Sequence, residues 1–382
     1  MKIANIKATL HRTEIKLPGI NESVESRMFV FVEVETESGL TGFGVTGQFL
    51  PWATIAAIEN HFLPVLKGMD IRNTEAIHSA VWKKMNIRAY TGVISNALSA
   101  IDIALWDIRG KSEGRTVAEL LGGYQDWQNT YATFGYPFFD EAQLAEWGKK
   151  FVADGHRMLK MVVGGEPSRT WRDDVRRVHA AREAIGPNID LMIDANCWFN
   201  PHDARLLADH IQDCGVVWFE EPLYQNDARA LADLRRITGI PVAAGQMEGN
   251  RWRYRELIVN QSVDVIQPNV CYNGGFTESL KVAHMAQAFN MPMANGGGWP
   301  IFNMHLLCGL MNGGPVEFHY GMWLAGKQFF NGTPDPKDGK VHLPKEPGLG
   351  FTPNYDALKD ARITEAKDSQ FEGRDAHGYL LR

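Results

Sequence analysis

The chain has 382 residues, 45% hydrophobic and 22% charged, with 39 basic and 45 acidic side chains interspersed to a net charge of −6. That length holds one barrel-sized domain and a smaller second one, and the mild acidity leaves no basic face for a nucleic-acid backbone. No run approaches the roughly 18 apolar residues of a membrane span, and the opening MKIANIKATLHRTEIKLPG lacks the apolar core of a signal or transit peptide.

Cys197, Cys214, Cys271 and Cys308 have neither CxxC nor zinc-type spacing. The expectation is a cytoplasmic protein with reduced thiols, and with neither nucleic acid nor membrane as partner.

The first clear element is Met28 to Thr36, an alternating β-branched and aromatic strand, followed by the turn Ser38-Gly39 and a second strand through Gly42-Phe43-Gly44. Helical spacing follows over Trp52–Leu66, Thr74–Met85 and Ser95–Gly110. In the last of these Leu98, Ile101, Leu105 and Ile108 form one stripe. After Gly123 short apolar runs alternate with amphipathic helices. The runs are Thr130–Phe134, Met158–Val163, Asp190–Ile193, Val216–Phe219, Pro241–Ala244, Val263–Ile266, Met291–Ala294 and Pro315–Phe318.

This order describes parallel β/α units closing into a barrel. An open doubly wound sheet is the alternative, but Phe134-Gly135-Tyr136-Pro137 is no Gly-rich phosphate turn. The last 60 or so residues lose the alternation, read as turns and a short strand at Gly339–Leu343, and are expected to return to the N-terminal unit.

In such a barrel the reacting groups stand at the carboxyl ends of the strands. There the sequence places Asp194 after the third run, Glu220 and Glu221 after the fourth, and Gln246 and Glu248 after the fifth. Oxygen side chains on successive strand ends suit a hard divalent cation, and the absence of a His cluster favours magnesium over zinc. A single such oxygen side chain would read as a helix cap; three in register, Asp194, Glu220 and Gln246, do not.

These pieces, with Glu35-Thr36-Glu37-Ser38-Gly39, Ala97 to Ile108, Leu120-Leu121-Gly122-Gly123, Lys160, Asp194-Ala195-Asn196, Trp218-Phe219-Glu220-Glu221-Pro222, Gly274-Gly275 and Pro347-Gly348-Leu349-Gly350, resemble the enolase superfamily. Within it the likeness is to the mandelate racemase and sugar-acid dehydratase branch, over nearly the whole chain. The resemblance implies an α/β fold: a modified TIM barrel, (β/α)7β, at residues 126–320. An α+β capping domain is built from residues 1–125 and completed by the tail, 321–382. It also implies one Mg2+ per subunit, a small acid-sugar substrate and a homo-oligomer. The shared chemistry is removal of the proton next to a carboxylate, with the metal holding the charge of the enediolate.

The sequence departs from that pattern in three places. The second strand commonly ends Lys-x-Lys, but here reads Lys160-Met161-Val162, leaving Lys160 as candidate base or polarising cation. The Asp and His usual after the sixth and seventh strands are replaced by Asn269 and Gly296, which disfavours two-base racemisation. The third carboxylate ligand is replaced by Gln246. Glu248, two residues on, points the same way if the strand continues, so either residue is a candidate third ligand beside Asp194 and Glu220.

The remaining candidates are His319, Tyr272 and Glu317 for proton transfer or carboxylate contact, and Asn196, Asn295, Trp299 and Arg88 for substrate binding. The leading reading is a magnesium-dependent hydro-lyase converting an aldonate or aldarate to a 2-keto-3-deoxy acid, with His319, Tyr272 or metal-bound water as the acid. The alternatives are an isomerase (epimerase, racemase or cycloisomerase) of a hydroxy acid, and a degenerate member that binds a sugar acid without turnover.

Overall fold

The computed structural model describes residues 1–17, 24–47, 49–86, 89 and 91–369. The N-terminal part is an antiparallel sheet of β1 (Ile3–Lys16), β2 (Val24–Thr36) and β3 (Thr41–Thr46). The hairpin read from the sequence is β2–β3; β1, which pairs with β2 along nearly its whole length, was not read. Its buried positions run Ile6, Ala8, Leu10 and then His11, Thr13, Ile15, so the alternation changes phase in mid-strand and two of the buried side chains are polar, which hides the strand in the sequence.

Helix Val93–Glu113 lies across β3 with most of its length buried. Gly42 and Gly44 make that approach possible, because a Cβ on either would enter the helix backbone at Ala104 or Ala100. The helical stretch expected over Trp52–Leu66 forms as Pro51–Ala56 and Leu63–Leu66 around a π-helical turn at Ala57–Phe62.

The second part is a curled parallel sheet. Its strands are β4 (Trp127–Gly135), β5 (Met158–Val162), β6 (Asp190–Asp194), β7 (Val216–Glu220), β8 (Val242–Ala244), β9 (Val265–Ile266) and β10 (Val316–His319). They neighbour one another in that order from β4 to β9, and β10 returns beside β4. The run Met291–Ala294 does not form a strand: only Met293 bridges, to Ile266 and Gly313. Pro292 has no N–H to give towards β9, and on the other side the seam towards β10 is closed by a side chain, the Asn295 carboxamide oxygen accepting from the Glu317 N–H at 2.9 Å.

Strand parity sets the barrel's interior. Tyr131, Met192, Trp218, Ala243 and Ala294 pack as an apolar layer, so the residues two positions further along β4, β6 and β7 point inward one layer higher. These are Thr133, Asp194 and Glu220, and Lys160 joins them from β5 in register with Thr133.

The tail serves both parts. Arg362–Ile363 extends the N-terminal sheet beside β1, whereas Lys340–His342 pairs antiparallel with the start of β4 and so joins the barrel. The sequence reading sent the whole tail to the N-terminal unit. The strand Lys340–His342 differs because Val341 buries against the barrel.

Two buried imidazoles fasten this tail. His305, in helix Pro300–Gly309, bonds the Leu349 carbonyl at 3.0 Å, and His11 on β1 faces Leu358 and Arg362. Burial pulls both below the ordinary histidine value, to about 4. A base whose pKa falls on folding contributes stability that is intact above about pH 6.5 and lost as the pH drops towards 4. For fully buried His305 the loss should reach about 3 kcal/mol. Urea denaturation between pH 7.5 and 4.5 checks this: the acid-side fall should be shallower in His305→Gln, and an unchanged fall would remove His305 from the account.

Candidate functional site

Lys160 stands at the centre of the strand ends. Its ammonium lies 2.6 Å from Glu220 Oε1, 2.9 Å from Glu317 Oε1 and 3.1 Å from Asp194 Oδ2, and 5.3 Å above the Tyr131 ring. The three carboxylates come from three different strands, and all four side chains are buried. Burial by itself would strip the proton from Lys160, but the three carboxylates outweigh it and hold its pKa well above the usual lysine value. It is an ammonium.

Each carboxylate is further supported. Glu220 Oε2 accepts from Trp218 Nε1 at 3.1 Å and from Gln267 Nε2 at 2.8 Å. Glu317 accepts from the Thr133 hydroxyl at 2.5 Å and the Gly298 N–H at 2.7 Å. Burial opposes its ionisation, yet Lys160, His319 and Thr133 hold it below the ordinary glutamate value. Asp194 Oδ1 accepts the Asn196 N–H at 2.8 Å, in a turn where Asn196 and Cys197 take left-handed backbone angles.

Gln246 Nε2 donates to Glu220 Oε1 and to Glu221 Oε2, both at 3.1 Å. Glu221 is buried at the same point. Burial first, and then the Asp194 charge, raise it to about 7, against the opposing hydrogen bond from Asn226.

The expectation that Glu248 continues the strand behind Gln246 is corrected. β8 stops at Ala244, Gly245 turns the chain at φ +138°, and Glu248 N–H closes back on the Gly245 carbonyl. Its carboxylate is held by Arg253 Nε at 2.9 Å.

Above this floor is a cavity of about 240 Å³. Its walls include Thr133, Val162, Asp194, Asn196, Gln246 and Glu248 from the barrel, His319 and Tyr272 to the side, and Arg27, Phe49 and Asn96 from the N-terminal part. Tyr272 donates its hydroxyl to the Gly297 carbonyl at 3.3 Å, and burial pushes its pKa upward, so it is a neutral phenol.

Asn295 and Trp299, read as substrate contacts, are not among the lining residues. Asn295 is spent on the β10 seam, and Trp299 packs its ring against Phe29 and Phe302 in the core. Arg88, and Tyr90 with it, lie outside the described residues. Thr133 and Gln267 escaped the sequence reading, although both stand at or beside strand ends of the right parity and the same rule would have found them.

The positions of the two missing acid–base groups are built over. Asn269 Nδ2 donates to the Gly296 carbonyl at 2.6 Å and the Gly298 carbonyl at 3.1 Å, while Asn303 donates to Asn269 Oδ1 at 3.0 Å. A Cβ on Gly296 would stand 2.8 Å from Glu220 Oε1 and 3.0 Å from Gln246, so no larger residue fits there without displacing them.

The donor set fits a hard divalent cation. Asp194, Glu220 and Glu317 share one ammonium, and burial with the Asp194 and Glu317 charges drives the Glu220 carboxyl upward against the pull of Lys160, a deficit of positive charge that such an ion corrects. The oxygens are not yet gathered: Asp194, Glu220 and Glu248 do not bring theirs within 4.8 Å of one another.

Comparison with known proteins agrees with this architecture. Residues 8–122 match the N-terminal domain of mandelate racemase / muconate lactonizing enzyme, and residues 143–357 match the enolase C-terminal domain-like family. The chain is 30% identical to D-galactarolactone cycloisomerase of Agrobacterium fabrum over 96% of this chain and 100% of that one. It is 27% identical to arabinonate dehydratase of Saccharolobus solfataricus over 85% and 87%. A racemase from Streptomyces coelicolor A3(2), solved with bound magnesium, superimposes with a TM-score of 0.86 at 27% identity, covering 94% of this chain and all of that one.

Removing the central ammonium leaves three buried carboxylates without a counter-charge. Lys160→Met should therefore lower the unfolding free energy by about 3–5 kcal/mol in chelator-containing buffer. Denaturant titration measures it, and a loss under 1 kcal/mol would show that the carboxylates compensate one another by sharing protons.

Proposed function

Because the chain belongs to the mandelate racemase / muconate lactonizing enzyme family of the enolase superfamily, we propose that it is a magnesium-dependent dehydratase of a small acid sugar. It removes the proton next to the carboxylate of an aldonate or aldarate and expels the β-hydroxyl, leaving a 2-keto-3-deoxy acid. The observation that carries this reading is the ammonium of Lys160 set among Asp194, Glu220 and Glu317 on the floor of a cavity walled by His319 and Tyr272.

Asp194 and Glu220 would hold the ion, with the Gln246 carboxamide as a neutral third donor. When bound, the ion supplies positive charge to the substrate carboxylate and to the enediolate. The chain's own residues do the rest. Lys160, pinned by Asp194, Glu220 and Glu317, is placed as a fixed charge beside the carboxylate. Proton removal falls to His319, which lines the cavity; Glu317, two residues before it on β10, favours the imidazolium that results. Tyr272, a neutral phenol that also lines the cavity, is the donor to the departing hydroxyl.

A cycloisomerase is the second reading. It is favoured by the end-to-end likeness to D-galactarolactone cycloisomerase and by Asn269 and Gly296 standing where a second acid–base pair would be.

The test is incubation with aldonic and aldaric acids and their lactones in magnesium buffer, with products read by NMR and by keto-acid assay. Keto-deoxy acid should form, chelator and Asp194→Asn should abolish it, and His319→Gln should lower kcat by about 10²-fold or more. Unchanged turnover in His319→Gln would overturn its role as base. Isomerised lactone without keto acid would establish the second reading, and ligand-induced thermal stabilisation with no product would identify a binding protein.

A further inference from the structure

A second cluster of ligand-type side chains lies at the other end of the barrel. Cys214 closes the turn Gln212–Cys214 just before β7 begins, whereas Asp194 and Glu220 stand where β6 and β7 end. Facing it is His179, on the helix Trp171–Ile185 of the preceding unit. Cys214 Sγ is 3.4 Å from His179 Nδ1 and 3.9 Å from Asp213 Oδ1, and His179 Nε2 is 3.7 Å from the same carboxylate oxygen. Among the described residues this trio is the one group of His, Cys, Asp or Glu donors gathered within 4.8 Å of one another. The carboxylates of the candidate active site do not meet that condition.

We infer that His179, Asp213 and Cys214 form a binding site for a borderline divalent transition ion, Zn2+ in the first place. Three features carry it. The first is spacing. Bonds of about 2.3 Å to sulfur and 2.0–2.1 Å to nitrogen or oxygen put donor pairs of a tetrahedral zinc roughly 3.3–3.6 Å apart; the 3.4 Å and 3.9 Å pairs are close to this, and the solvent-open Asp213 carboxylate, 3.7 Å from Nε2, turns towards Nδ1 to complete the set.

The second is the orientation of the imidazole. His179 Nε2 lies 3.1 Å from the His210 carbonyl, which can only accept, so the proton sits on Nε2 and the Nδ1 lone pair is turned towards the thiol. A backbone carbonyl on the far nitrogen is the usual support of a metal-bound histidine.

The third is access and chemistry. Cys214 is buried while the His179 and Asp213 side chains are open to solvent, so the ion has an entry path and room for water as fourth ligand. One sulfur, one nitrogen and one oxygen select a borderline ion over magnesium. Bound there, it would cross-link two successive β/α units on the face away from the cavity.

The experiment uses the full chain, stripped with chelator, dialysed into excess Mg2+ and titrated with Zn2+ or, for spectroscopy, Co2+. One equivalent of Zn2+ should remain bound after gel filtration. Co2+ should give a thiolate-to-metal charge-transfer band that disappears in Cys214→Ser. His179→Gln, a change at a solvent-open side chain, should weaken Zn2+ binding by about ten-fold or more. Asp194→Asn should leave both signals intact, separating this site from the barrel's other end. Absence of the charge-transfer band, or Zn2+ binding that His179→Gln does not weaken, would overturn the assignment.

Discussion

The ammonium of Lys160 is the constraint on which the upper barrel depends. Three carboxylates delivered by β6, β7 and β10 converge within 3.1 Å of it, a packing that mutual repulsion and desolvation would forbid without a cation between them. The supporting groups follow from the same need. Trp218 and Gln267 take the second oxygen of Glu220, and Thr133 and the Gly298 N–H take the oxygens of Glu317, leaving each carboxylate aimed rather than free to rotate. Such a site is rigid because its members neutralise one another, and one added divalent charge would redistribute the whole network.

The same crowding explains the glycine-rich turn after Met291–Ala294. Gly296 abuts Glu220 and Gln246, and Asn269 holds the turn there through two backbone carbonyls, braced in turn by Asn303. Asn269 and Gly296 are therefore one packed unit rather than two independent losses of proton carriers. Reintroducing a histidine at 296 alone would press on Glu220 before it reached any substrate.

Much of this was legible in the sequence, for a physical reason. Parallel strands buried on both faces are short apolar runs, and a carboxylate ending such a run can only be facing the barrel mouth; Asp194 and Glu220 were found that way. Glu248 reaches the cavity by another route than a continuing strand: Gly245 ends β8, and a glycine at φ +138° is not distinguishable in sequence from one inside a strand. Asn295 and Trp299 were read as ligand contacts from proximity to a glycine loop. The structure uses one to close the seam towards β10 and the other to fill the core beside Phe29. The charge state of Lys160 was beyond any sequence argument, since it depends on three partners 34, 60 and 157 residues away whose convergence only the barrel creates.

The cavity above this network has cations at two levels, Lys160 beneath its floor and Arg27 on the wall from the N-terminal part. Its floor carries Asp194, Gln246 and Glu317, and Phe49, Met247 and Met322 are apolar members of its lining. In the proposed reaction the substrate carboxylate goes to the floor, where the divalent ion that Asp194 and Glu220 would hold adds to the Lys160 charge. On that reading the acid end lies down and the rest of the molecule up. In the proposed reaction the adjacent carbon would lie within the ring of strand-end residues that holds Lys160, Thr133 in register with it, and His319 beside Thr133 in the ladder. Charge at the floor would then decide which end of the substrate enters first, and so which proton His319 can reach.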